Sequence, residues 1–292
     1  MIDLSQIAPD QPVLIAGPTA SGKSALALKI AREQGGMIVN ADALQVFSNW
    51  RVLTARPSQA EEALAPHHLY GHVAGGARYS VGEWLRDVQA LVAVENLRPI
   101  IVGGTGLYFR ALLEGLAEIP AIAPEWRLHS EALLATGGIA ALLADLDAQT
   151  RARLDTQNPK RVQRAWEVQK HTNRGLADWQ DATPAPFMPL NTCFPVVLDT
   201  KKPWLLDRIN RRFEMMVSSG ALEEVRANLP GWDPSLPSAK AIGAPELIAY
   251  LQGNMGLDAA IDAAKIATHQ YAKRQRTWFR ARMKNWQHFD PA

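Results

Sequence analysis

The chain has 292 residues, with 31 lysines and arginines against 29 aspartates and glutamates. It is long enough for about two domains, and its formal charge of +2 does not announce a polyanion partner. No apolar run approaches the roughly 18 residues of a membrane span. The opening MIDLSQIAPD has neither the basic start of a signal peptide nor the Arg/Ser bias of a transit peptide. A single cysteine, Cys193, excludes an internal disulfide and a cysteine-rich zinc site, and it reads as a small buried hydrophobe. A cytoplasmic protein without membrane contact is expected.

In chain order, Val13–Ala16 is a short apolar run followed by Gly17-Pro18-Thr19-Ala20-Ser21-Gly22-Lys23-Ser24 and then a helical pattern over Gly22–Glu33. Strand, glycine-rich loop and helix in that order make a P-loop. Its backbone N–H groups converge on phosphate oxygens, Lys23 adds a point charge, and the Ser24 hydroxyl reaches a magnesium ion. Most such loops serve ATP or GTP chemistry. A second apolar run, Met37–Val39, leads to the acid Asp42, which could be a magnesium ligand, a general base or a solvated surface acid. A helical pattern over Gly82–Asn96 precedes a third strand, Pro99–Val102, ending in Gly103-Gly104-Thr105. An ATPase normally has an aspartate at the end of such a strand. The double glycine instead lets the backbone approach a ligand and leaves the Thr105 hydroxyl facing the site. No guanine-reading Asn-Lys-x-Asp occurs. Strands alternating with helices predict an α/β, P-loop NTPase-like parallel sheet flanked by helices, with ligands at the carboxyl ends of the strands.

After Gly115 the pattern becomes helical from Pro124 to about Leu176, and Pro184, Pro186, Pro189 and Pro195 mark a return to the sheet at Pro195–Leu198. The reading is a core of residues 1–116 and 184–292 interrupted by a helical insertion over 117–183. Within the insertion Asn158 is an N-cap and Pro159 the first helical residue. Lys160, Arg164 and His171 share one face, opposite Val162 and Trp166. In the helix from Pro203, Arg212 falls inside the stripe Leu205, Ile209, Met216. Such an arginine either meets an anion or is snorkelling or internally paired. Helical patterns over Pro245–Leu251 and from about Leu257 complete the chain. Lys265 to Trp286 contains no acid, and His269, Lys273, Arg276, Arg280 and Lys284 step by three or four residues opposite Tyr271, Gln275, Trp278 and Trp286. The basic stripe suits a phosphate backbone.

GPTASGKS, NADALQV, LTARP, PIIVGGTGLYFRALLEGL, NPKRVQRAWEV, DRINRRFEMMVSSGALEEV and YAKRQRTWFR occur in this order, and together they resemble bacterial tRNA dimethylallyltransferases (tRNA isopentenyltransferases) over nearly the whole chain. The resemblance implies transfer of a dimethylallyl group from dimethylallyl diphosphate to the exocyclic amine of the adenosine 3′ of the anticodon, with release of diphosphate. It implies that Gly17 to Ser24 hold the diphosphate with Mg²⁺ on Ser24, that Asp42 is the base, that Thr105 orients the amine or the bridging oxygen, and that Arg212 reaches the diphosphate. It also implies contacts to the tRNA anticodon stem-loop from Asp42, Ala43, Leu44, Gln45, Thr105, Arg127, Lys160, Arg161, Val162, Gln163, Arg164, Lys273 and Arg280, in a protein acting as a monomer. The chain departs from the family pattern at AIGAPE, where IGYxE is common, at His269, where arginine is common, and at LTARP in place of GTAKP. The cysteine-rich finger of eukaryotic members is absent. A small-molecule P-loop kinase and an RNA-binding NTPase are the rival readings.

Overall fold

The computed structural model describes residues 3–291. It divides into two compact units, Met1–Leu113 with Met188–Ala292, and Glu114–Phe187. The expected insertion limits fall three residues inside this second unit at its start and four at its end; the domain limits at 1 and 292 lie outside the described residues.

The first unit is built on a six-stranded, all-parallel sheet in the order β3-β2-β4-β1-β5-β6. Its strands are β1 (Val13–Ala16), β2 (Met37–Asn40), β3 (His67–His68), β4 (Pro99–Gly103), β5 (Phe194–Leu198) and β6 (Gln287–Phe289). Every residue of β1, β2 and β4 is buried, which is why these strands read as unbroken apolar runs rather than as alternations. Pro195 is tolerated in β5 for a geometric reason. Phe194 N–H donates to Pro12 on the β1 side, so Pro195 faces the other neighbour, and β6 begins its register only at Val196. No ladder hydrogen bond is lost. The strands β3 and β6 were not expected.

Around the sheet lie α1 (Lys23–Gln34), α2 (Gln59–Glu62), α3 (Val81–Val94) and α4 (Gly106–Glu114). Trp84 of α3 is fully buried, stacks on Tyr108 of α4 and donates its indole N–H to the Asn40 carbonyl at the end of β2. The sheet core joins Ile15, Ile30, Ile38, Ile100 and Val196.

The second unit carries α5 (Pro124–Ala144), α6 (Ala148–Arg153), α7 (Pro159–Thr172) and α8 (Leu176–Asp181). Asn158 caps α7 by accepting from Arg161 N–H, with Pro159 at its first position. The α5 helix breaks at Gly138 (φ 65°, ψ −167°), a conformation that only glycine adopts cheaply. Leu142, Leu146, Val162, Ala165 and Trp166 form the core of this unit.

The chain then returns to the first unit through β5 and α9 (Lys202–Met216), which widens through Val217–Ala221 at Gly220 (φ 104°) into α10 (Leu222–Asn228). Next come α11 (Ala244–Leu251) and α12 (Leu257–Arg282). Trp50, Leu53, Phe213, Val225, Leu247 and Ala264 form a second core among these helices. The final helix ends at Arg282, so Lys284 and the buried Trp286 lie on the following turn and not on the helix. Among the described residues no helix is long and apolar enough to cross a membrane.

Candidate active site

The strand order sets β2, β4 and β1 side by side, with Ala16 opposite Gly103 and Asn40 opposite Val102. The P-loop, the Asp42 turn and the Gly103-Gly104-Thr105 turn therefore leave the sheet as neighbours at its carboxyl edge. Gly103 is forced by this proximity, because a Cβ there would stand 2.0 Å from the Ala41 carbonyl oxygen.

The loop from Gly17 to Gly22 turns through two left-handed residues, Ala20 (φ 62°) and Gly22 (φ 93°), before α1 starts at Lys23. Alanine is costly at a positive φ, and Arg208 Nε donates to the Ala20 carbonyl at 2.9 Å, holding it there. At Gly17 a Cβ would meet Ser21 Oγ at 2.7 Å. Ser21 is buried with its hydroxyl unpaired, whereas Ser24 is exposed on the first turn of α1. The free N–H groups of that turn make a ready anion cradle.

Lys23 is only 8% exposed, and its pKa is lowered to about 8. Burial is the main cause, opposed by the Asp42 carboxylate and reinforced by Arg212. The Arg212 guanidinium is likewise held down by burial and supported by Asp42. Its inward placement in the α9 stripe therefore falls within the field of an acid. The Asp42 carboxylate lies among these two cations and is 8% exposed.

The backbone of the Asp42 turn is tightly fixed. Asn40 Oδ1 accepts from Asp42 N–H, Asn40 Nδ2 donates to the Asp42 carbonyl, and Asp42 Oδ1 accepts from Leu44 N–H. Thr105 Oγ1 accepts from Ala43 N–H at 2.9 Å, so Thr105 holds the same turn while its own O–H stays able to donate. Gln45 spends its amide on the carbonyls of Thr54 and Ala55.

Two adjoining cavities meet at these residues. A cavity of about 500 Å³ is bordered by Lys23, Ser24, Asp42, Arg208, Arg211 and Arg212. A narrower one of about 60 Å³ is walled by Leu44, Leu53, Ile209, Phe213, Met216 and Ile242. Thr19, Ala20, Asp42, Thr54 and Arg212 line both. A cationic chamber thus opens into an apolar slot, with a carboxylate at the junction.

The family model described as IPP transferase matches residues 45–282, and that described as isopentenyl transferase matches residues 11–66. The chain belongs to the IPP transferase family. A protein of Cereibacter sphaeroides named tRNA dimethylallyltransferase is 61% identical over 97% of this chain and 90% of its own length. A tRNA dimethylallyltransferase of a Ruegeria species is 57% identical over 100% and 99%. The crystal structure of the tRNA isopentenylpyrophosphate transferase of Bacillus halodurans superposes with a TM-score of 0.67 at 31% identity, covering 96% of this chain and 90% of that one.

Within this IPP transferase the outlying residues of the sequence reading divide. In the helical unit Arg127, Lys160, Arg161 and Arg164 are exposed, and Arg164 has Arg127 as a like-charged neighbour. Val162 and Gln163 do not face outward. The Val162 side chain is fully buried in the core of the unit, and Gln163 donates to Ser130 Oγ and accepts from Lys160. A helix cannot present five consecutive residues on one face, and these two side chains are directed into the unit. On α12, Lys273 is exposed without an ion-pair partner among the described residues, while Arg280 and Arg276 both approach Asp199 and His269 meets Asn210. The basic stripe is thus partly neutralised within the fold. Three participants escaped the sequence reading: Arg208 on the P-loop carbonyl, Gln275 beneath the loops, and Glu224. The Glu224 carboxylate accepts from Arg51, Val52 and Leu53 N–H and so holds the wall of the apolar slot. Arg208 could have been found one turn before Arg212 on the same helix; neither Gln275 nor Glu224 carries a local signal.

Proposed function

We propose that this protein transfers the dimethylallyl group of dimethylallyl diphosphate to the exocyclic amine of the adenosine 3′ of the anticodon in tRNA, in the cytoplasm. The observation that carries the reading is the pair of joined cavities, cationic and apolar, with Asp42 and Arg212 lining both. A diphosphate matches the first chamber and a five-carbon chain the second, where its burial contributes about 3–4 kcal/mol. In the reaction the amine nitrogen's lone pair forms a bond to C1 of the prenyl group. The C1–O bond breaks, and its electron pair leaves with the diphosphate. The proton displaced from the amine goes to the Asp42 carboxylate.

Negative charge grows on the leaving oxygens, where the α1 N-terminus, Lys23 and Arg212 are fixed in advance. Such donors stabilise the transition state more than the ground state. The Thr105 hydroxyl, beside the Tyr271 phenol, is assigned to orient the amine or the bridging oxygen. Ser24 and Asp42 border the same chamber, and among the described residues no three-residue cluster of His, Cys, Asp or Glu could hold a metal unaided. The Ser24 hydroxyl, with ligand phosphate oxygens and water, would hold Mg²⁺ there. The ion would neutralise charge on the diphosphate. The exposed cations of the helical unit and Lys273 are assigned to the anticodon stem-loop.

The test combines the protein, dimethylallyl diphosphate labelled in the prenyl group, and unmodified tRNA. Labelled tRNA with stoichiometric diphosphate release is expected. ATP consumption without label transfer would overturn the reading in favour of a kinase or an RNA-binding NTPase.

A further inference from the structure

The side chain of Gln275 lies beneath the active-site loops and is 5% exposed. Its Oε1 accepts from the Thr19 N–H of the P-loop at 2.9 Å, and its Nε2 donates to the Gly104 carbonyl at 3.0 Å. One neutral amide therefore ties the phosphate loop to the turn after β4. Gly104 shows how close this is to the chemistry. The point where its Cβ would stand is 2.1 Å from Gln275 Nε2 and 3.2 Å from Asp42 Oδ2. Any side chain at that position would wedge between the amide and the carboxylate. The Tyr271 phenol, one helical turn before Gln275, neighbours Thr105 and Gln275 as well.

We infer that Gln275 is a positioning residue: its amide sets the P-loop against the Gly104–Thr105 turn, so that the diphosphate cradle and the Asp42 carboxylate keep a fixed separation. The role needs one donor and one acceptor at a single position. Thr19 offers an N–H and Gly104 a C=O, so only a bifunctional side chain satisfies both. Leaving either buried group unpaired costs free energy, and the loop would relax to recover it. The inference deepens the proposed transferase reading and rests on it for the role of Asp42, but diphosphate binding tests it without turnover.

The experiment measures calorimetric affinity for inorganic pyrophosphate in the wild type, in Gln275→Met and in Gln275→Glu. Methionine matches the shape and makes neither hydrogen bond. Affinity should fall about tenfold, the size of one net hydrogen bond plus a released loop, while affinity for an anticodon stem-loop RNA stays within about twofold. Glutamate is informative in the opposite way. Protonated, it is again a donor and an acceptor; ionised, it sets a carboxylate against the Gly104 carbonyl and close to Asp42. The ratio of wild-type to Gln275→Glu affinity should therefore be near one at low pH and rise as pH increases, a trend that a packing role alone would not produce. Pyrophosphate affinity within twofold of wild type in Gln275→Met, or a pH-independent ratio for Gln275→Glu, would overturn the inference. If pyrophosphate binding follows Gln275 but no label reaches tRNA, the transferase reading fails and the positioning role stands.

Discussion

Replacing Lys23 by methionine should make the ligand-free protein more stable and unable to bind diphosphate. In the fold the Lys23 pKa is about 8, against an ordinary value of 10.5, net of the attraction from Asp42. Each pK unit is worth about 1.4 kcal/mol, so keeping Lys23 charged in its buried position costs about 3 kcal/mol at neutral pH. Methionine retains the aliphatic stem and removes the charge. For a chain of this size each kcal/mol shifts Tm by about 2–4 °C, so the variant should melt several degrees above wild type at pH 7. The sign with pH follows from the lowered pKa of a cation. Below pH 8 the lysine is charged in both folded and unfolded states, and the whole penalty applies. Between pH 8 and 10.5 the folded form loses its proton first, and the gap between the two proteins should close. Dimethylallyl diphosphate should reverse the order, raising the Tm of wild type by mass action and leaving the variant unmoved. Thermal melts from pH 6 to 10, with and without ligand, measure all of this. A variant that melts below wild type at pH 7, with a gap that does not change with pH, would refute the reasoning.

The other expectations are more local. Asp42→Asn should lower kcat by about 10²–10⁴-fold, the range for loss of a general base, with tRNA affinity unchanged; single-turnover rates and filter binding separate the two effects. Glu224→Ala frees three backbone N–H groups at Arg51–Leu53; it should destabilise by about 2–3 kcal/mol in chemical denaturation and raise KM for dimethylallyl diphosphate, because the slot wall loosens. Arg164→Ala and Lys273→Ala should each reduce the salt slope of tRNA binding by about one, and Arg280→Ala by less, since Arg280 already meets Asp199. Equal slopes for all three variants and wild type, measured across a salt series, would remove both basic faces from the RNA footprint.

The amino-acid sequence alone determined the elements whose signals are local. Val13–Ala16, Met37–Val39 and Pro99–Val102 are unbroken apolar runs because both faces of a parallel sheet are covered, and the P-loop spacing set the loop and the helix start after the first of them. The Asn158 cap, Pro159 and the inward Arg212 of α9 were readable for the same reason: capping and the helical period act over a few residues. The tertiary structure decided whatever depends on a partner distant in the chain. The strands β3 and β6 are two and three residues long and exist only because β2 and β5 offer them an edge. The pattern that carried Lys284 and Trp286 onto the last helix runs past Arg282, where the backbone turns; periodicity records which side faces the core, not where hydrogen bonding stops. Gln163 lies in a basic segment, yet it is turned inward by the packing of α7. Gln275 meets Thr19 across 256 positions of sequence, and Glu224 meets Leu53 across 171. A buried amide or carboxylate is chosen by the unpaired backbone groups around it, and those groups are neighbours only once the chain has folded.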